Sequence, residues 1–138
     1  MPPRKACPIV LRPGDEGMHL LVFRHPLAGT QLVKGTVEPG ESPAHAAVRE
    51  LREESGLDGQ IELELGPWDS GYRGQTWDLF LMRVDGDLPD TWEHNAVDDR
   101  GHTFAFYWHP LDAEPGDDWF PLFRRALDHI EQALRVHL

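Results

Sequence analysis

The sequence predicts an α/β fold with a mixed β-sheet held between helices. Three observations predict it. Short apolar runs of strand length recur between clusters of Gly, Pro and Asp. Residues 44–51 change abruptly to helical spacing. The C-terminal segment carries one apolar stripe long enough to cover a sheet face. With 138 residues, 40% of them hydrophobic and 9% aromatic, the chain has material for its own core and reads as a single domain, 1–138.

Residues 7–11 and 18–25 form the first hairpin, because Pro13-Gly14-Asp15-Glu16-Gly17 concentrates turn formers between two apolar runs. A third extended piece covers 31–34. Ser42 then caps a helix and Pro43 suits its first position, where a missing N–H costs nothing. Ala44, Ala47, Val48 and Leu51 follow at helical spacing until Gly56 stops it. Residues 60–65, 75–84 and 102–108 read as strands, the middle one apolar on both faces from 79 to 82 and therefore central. Asp117 opens a second helix, whose stripe is Leu122, Phe123, Ala126, Leu127, Ile130, Ala133 and Leu134. The stretch 85–101 is long for a connection and carries Trp92, Glu93 and His94. It reads as a lid that supplies a base or a stacking surface, or as an acidic surface loop.

Composition narrows the function classes. No apolar run approaches the roughly 20 residues of a membrane helix, and the apolar stretch before Arg12 is too short for a secretory signal core. A cytoplasmic location without a membrane partner is expected. The single cysteine, Cys7, excludes an internal disulfide and a cysteine-cluster metal site, and reads as a small core residue. A formal net charge of -11 repels polyanions, so no extended nucleic acid is expected as a partner. A phosphate-bearing substrate would need positive charge recruited locally, and a divalent cation is the direct way to recruit it.

The chemistry concentrates in Gly35-Thr36-Val37-Glu38-Pro39-Gly40-Glu41 and Arg49-Glu50-Leu51-Arg52-Glu53-Glu54-Ser55-Gly56-Leu57. At about 100° per residue, Glu53 and Glu54 fall about 60° and 40° to either side of Glu50, so three carboxylates share one arc beside the apolar face. Like charges at these spacings, near a helix C-terminus, oppose folding by tenths of a kcal/mol per pair. A hard cation such as Mg²⁺ or Mn²⁺ reverses that sign, because clustered carboxylate oxygens are what it binds. Arg49 is four residues before Glu53 and within reach of Glu41, in a position to fix the cluster. Taken alone, Glu-x-x-Glu-Glu reads more readily as a solvated acidic face.

The whole segment resembles the Nudix box, Gly-x5-Glu-x7-Arg-Glu-aliphatic-x-Glu-Glu-x-Gly-aliphatic. Gly35, Glu41, Arg49, Glu50, Leu51, Glu53, Glu54, Gly56 and Leu57 match every defined position. With residue usage of roughly 5 to 10% at each fixed position, a chance match is on the order of one in ten million. The resemblance implies a Nudix-type α/β/α sandwich and a hydrolase that cleaves a small nucleotide-like substrate, a nucleoside diphosphate linked to another moiety. It implies Glu50 and Glu54 as metal ligands, Glu53 as ligand or general base, the Gly35 carbonyl as a further ligand, and Arg49 with Glu41 as a supporting ion pair. One departure is Val33, where many members have proline before Lys34-Gly35.

Lys34 reads either as a neutraliser of a phosphate oxygen or as a solvated loop lysine. Tyr72 lies about where relatives acting on dinucleoside polyphosphates carry a tyrosine, and Trp92 offers a stacking surface. Trp68, Trp77 and Phe104 are further stacking candidates, although an aromatic on a strand is more often core. Binding of a nucleotide without turnover is the alternative function, and the complete carboxylate set argues against it. A homodimer is compatible with the resemblance.

Overall fold

The apolar run that opens the chain becomes the centre of the sheet in the computed structural model, which describes residues 4–96 and 100–137. Strand β1 (Arg4–Gly14) turns at once into antiparallel β2 (Gly17–His25). Two short strands follow: β3 (Gly29–Gln31) pairs with β2, and β4 (Gly35–Thr36) pairs with β1. After helix α1 (Pro43–Ser55) come β5 (Gln60–Asp69), β6 (Thr76–Arg83), β7 (Trp92–Ala96) and β8 (His102–Pro110), then helix α2 (Pro121–His137). The sheet order is β5-β6-β1-β2-β8-β7. Only the β1–β6 pair is parallel among the pairings of the described strands, which makes the sheet mixed.

Alternation along the strands sends side chains into two cores. Cys7, Ile9, Leu20, Val22, Trp77, Leu79 and Leu81 meet the α2 stripe of Leu122, Phe123, Ala126, Leu127, Ile130 and Leu134. Ala6, Val10, Leu21, Phe23, Phe80, Met82, Phe104 and Phe106 meet Ala46, Ala47 and Leu51 of α1. β6 is buried without a break from Trp77 to Met82 because Leu79 to Met82 alternate between the two cores and Asp78 is held by Arg4. Cys7 is fully buried, and burial pushes its thiol up to about 12, out of the reactive range. No helix among the described residues is long and apolar enough to cross a membrane.

Several boundaries differ from the expectations for physical reasons. The segment 31–34 is not one strand: the chain there crosses from pairing with β2 to pairing with β1, and the buried Leu32 and Val33 pack without a ladder of their own. β5 runs on through Gly66 and Pro67 by shifting register twice, which an edge strand tolerates. β6 is interior but next to the edge, and β1 and β2 hold the centre. The lid expected over 85–101 contains an ordered edge strand, β7, paired with β8; residues 97–99 lie outside the described residues. α2 starts at Pro121 rather than Asp117, because Asp118 is engaged by Thr30, whose hydroxyl donates to Asp118 Oδ2 and whose N–H reaches Asp118 O.

Candidate functional site

Local signals build α1 as the sequence suggests. Ser42 Oγ accepts from His45 N at 3.1 Å, Pro43 takes the first helical position, and Gly56 ends the helix at φ 82° with its N–H on Arg52 O. β4 then sets Gly35 opposite Ala6 and Thr36 opposite Lys5, which lays the preceding loop against the helix. A Cβ on Gly35 would fall 1.9 Å from Glu50 Cδ and within 2.3 Å of both carboxylate oxygens. A larger residue at Gly35 would push the Glu50 carboxylate out of its place.

Lys34, Gly35, Glu50, Glu53 and Glu54 are brought together in a cleft of about 320 Å³, whose other walls are Lys5, Gln31, Leu32, Thr36, Ala96 and Phe104. A larger hollow of about 410 Å³ lies between the β1–β2 turn and the end of α2, lined by Met18, Leu111 and Leu134. Its acids are Asp112 and Glu131, and Glu131 is paired with Arg135. Chemistry rather than size therefore singles out the first cleft.

Arg49 lies behind the carboxylates and uses all five of its N–H groups. Nε and Nη2 donate to the two oxygens of Glu41 at 2.8 and 2.9 Å. Nη1 donates to Glu50 Oε1 at 2.7 Å and Glu53 Oε2 at 3.0 Å, and Nη2 also reaches Thr36 O at 3.0 Å. One planar fork thus ties the helix to the loop at fixed angles. Hydrogen bonds from Arg49 hold the Glu41 carboxyl well below the usual carboxylate range, and the same contacts raise Arg49 further.

Two lysines line the same cleft. Lys34 Nζ lies 5.7 Å from the Trp77 ring centre and 6.0 Å from that of Phe123, and burial lowers its pKa, helped by repulsion from Lys5. Lys5 Nζ donates to Thr36 Oγ1 at 2.8 Å. These two lysines and Arg49, which is shared by Glu50 and Glu53, do no more than balance the three carboxylates, so a phosphate group would gain from a divalent cation added there.

The donor set fits such a cation in kind: hard carboxylate oxygens beside a main-chain loop that a side chain at Gly35 would block. Among the described residues, no three His, Cys, Asp or Glu side chains close into a metal cage. Glu50 and Glu53 are instead drawn onto the same Arg49 nitrogen.

Other expected site residues lie elsewhere. Tyr72 packs against the core under α2, with Arg73 over its ring. Trp92 stacks on Phe106 at 5.1 Å and donates its indole N–H to Ser55 O. Neither lines the cleft. Trp77 is fully buried core and Trp68 packs on it edge to face, whereas Phe104 is 2% exposed and closes one cleft wall. Lys5 is the charged cleft residue that sequence reasoning missed, beside the uncharged Gln31, Leu32, Thr36 and Ala96. It reads as part of a basic N-terminal pair, and only the pairing of β1 with β4 reveals its place.

A family model described as NUDIX domain matches residues 1–128. An RNA pyrophosphohydrolase of Roseobacter denitrificans is 35% identical over 129 residues, covering 81% of this chain and 78% of that protein. One of Brucella anthropi is 30% identical over 125 residues, covering 76% and 69%. Among solved structures, an ADP-ribose pyrophosphatase from Streptococcus suis matches with a TM-score of 0.69 at 18% identity, over 99% of this chain and 92% of that one. A MutT NUDIX hydrolase from Burkholderia pseudomallei matches at 0.69 and 22% identity, over 94% and 98%. At these identities the structural likeness shows the α/β/α sandwich fold.

Proposed function

The chain belongs to the Nudix family of hydrolases acting on phosphoric anhydrides, and from that membership we propose a Mg²⁺- or Mn²⁺-dependent pyrophosphohydrolase of small nucleotide-like substrates. The bond cleaved is a diphosphate linkage in a nucleoside diphosphate joined to another moiety. The observation that carries the reading is the cleft that Glu50, Glu53 and Glu54 share with Lys5 and Lys34. In this reading the three glutamates and the Gly35 carbonyl hold the cation, and Arg49 fixes the angle at which they do so. Lys34 and Lys5 take phosphate oxygens. Glu53 serves as one of these ligands or, in place of that, as the base that takes the proton of the attacking water; its side chain is 36% exposed, against 11% for Glu50. The cation, when bound, supplies a Lewis acid that stabilises charge on the departing phosphate.

The test is hydrolysis of a panel of nucleoside diphosphates linked to sugars or to a second nucleotide, using metal-stripped protein. Turnover should appear with Mg²⁺ or Mn²⁺ and vanish with chelator. Undiminished turnover in excess chelator would overturn the reading, and binding without phosphate release would favour a nucleotide sensor. The relatives named RNA pyrophosphohydrolase favour a second reading, action at an RNA 5′ end. A net charge of -11 opposes it, since a long polyanion is repelled over more of its length than a small nucleotide. Side-by-side specific activities should favour the small nucleotides; preference for triphosphorylated RNA over all of them would install the second reading.

A further inference from the structure

We propose that Trp92 and His94, two residues apart on one face of β7, are positioning residues that hold Glu53 and Glu54 in register with the cleft; the inference rests on the cation-binding role proposed for those glutamates. Both glutamates sit in the last turn of α1, which ends at Ser55. That is the turn whose carbonyls lack partners within the helix, and it is where helices fray. Here two of those carbonyls find partners on β7, beside the cap bond at Gly56. His94 Nε2 lies 3.0 Å from Glu53 O, and because a carbonyl only accepts, the proton is on Nε2. Trp92 Nε1 donates to Ser55 O at 3.0 Å, and Gly56 N to Arg52 O at 2.9 Å.

The two β7 side chains are themselves fixed. Trp92 lies parallel to Phe106 of β8 within 9°. His94 approaches Gly56 so closely that a Cβ there would stand 3.0 Å from its Nδ1. β7 and β8 also supply Ala96 and Phe104 to the cleft wall. Glu53 is consequently gripped at both ends, its carboxylate by Arg49 and its own carbonyl by His94. A cation that demands near-ideal ligand geometry will register any slip of this turn, and such outer contacts are typically worth about 10- to 100-fold in metal affinity.

The experiment measures Mn²⁺ affinity of the full chain without substrate, by electron paramagnetic resonance of free Mn²⁺, alongside Tm. His94→Ala should weaken Mn²⁺ binding about 10-fold, whereas His94→Gln, which keeps an N–H donor, should stay within about threefold of the natural protein. Trp92→Phe keeps the ring stack, loses the N–H, and should fall between them; it carries the test together with His94→Gln if His94→Ala does not fold. Leu127→Ala, in the core under α2, should lower Tm and leave Mn²⁺ affinity unchanged. Natural protein that binds Mn²⁺ no better than His94→Ala and Trp92→Phe would overturn the inference and leave the cation site standing. Equal loss of affinity in Leu127→Ala would reduce the β7 contacts to general stability and overturn it as well. Natural protein that binds no Mn²⁺ at all would remove the cation site, and this inference with it.

Discussion

At the scale of the residue, Arg49 shows why a charge alone does not define a site. Its side chain is 23% exposed and ends in five satisfied N–H groups spread over three carboxylates and a loop carbonyl. Arg49→Ala removes this frame without removing any proposed ligand, so Mg²⁺ affinity should weaken by about 10- to 100-fold and excess Mg²⁺ should recover much of the rate. Arg49→Lys keeps the charge but presents a compact ammonium with three donors, and should rescue only part of the loss. Metal titration of initial rates separates the cases. A loss that no Mg²⁺ concentration recovers would place Arg49 in the reaction itself. Gly35, Glu41, Arg49 and the three glutamates were all legible in the sequence, because the box is local and helical spacing alone aligns the acids. Lys5 was not, because its place depends on a hydrogen bond to Thr36 across 31 residues.

At the scale of the element, the second helix illustrates how a distant contact overrides a local signal. Asp117 looks like a helix opener, yet Thr30 claims the next residue, Asp118, through its hydroxyl and its N–H, and Tyr107 shares the hydroxyl at 2.8 Å. Thr30 is fully buried, and Gly29 leaves no room for a Cβ, which would meet Asp118 O at 2.0 Å. The Thr30 hydrogen bond also lowers the Asp118 pKa from its ordinary 3.8. A carboxyl depressed in the folded state adds stability above its unfolded pKa and loses it as pH falls through the folded value. Thr30→Val should therefore cost about 1 kcal/mol near neutral pH, since Asp118 is partly exposed and water replaces part of the contact. The gap between the proteins should narrow as pH drops below 3.8, as urea midpoints across that range would show. A gap that is constant with pH would mean that the carboxylate is not involved. β7 escaped sequence reading for a related reason. Its residues alternate Trp92, His94 and Ala96 toward the core with Glu93 and Asn95 toward water, a pattern too short and polar to stand out from an acidic connection.

At the scale of the whole molecule, the sheet gathers the site at one end. The start of β1, the start of β8, the end of β7 and the β3–β4 crossing all open on the cleft that faces the last turns of α1. The chain carries a net charge of -11, so in the proposed function affinity for phosphate would come from the few basic groups in that cleft and from the cation its carboxylates would hold. The α/β class, the first hairpin and α1 followed from periodicity and caps, whereas which strand lies beside which followed only from long-range pairing, such as β1 running parallel to β6. The most direct test of the account is a Mg²⁺ titration of the Glu54→Gln variant on whichever nucleoside diphosphate derivative the natural protein hydrolyses. Glutamine keeps the size and removes the anionic charge, so turnover should fall by at least about a hundredfold and excess Mg²⁺ should not restore it. Near-normal turnover at ordinary Mg²⁺ concentration would contradict the assignment of the helix carboxylates as the metal site.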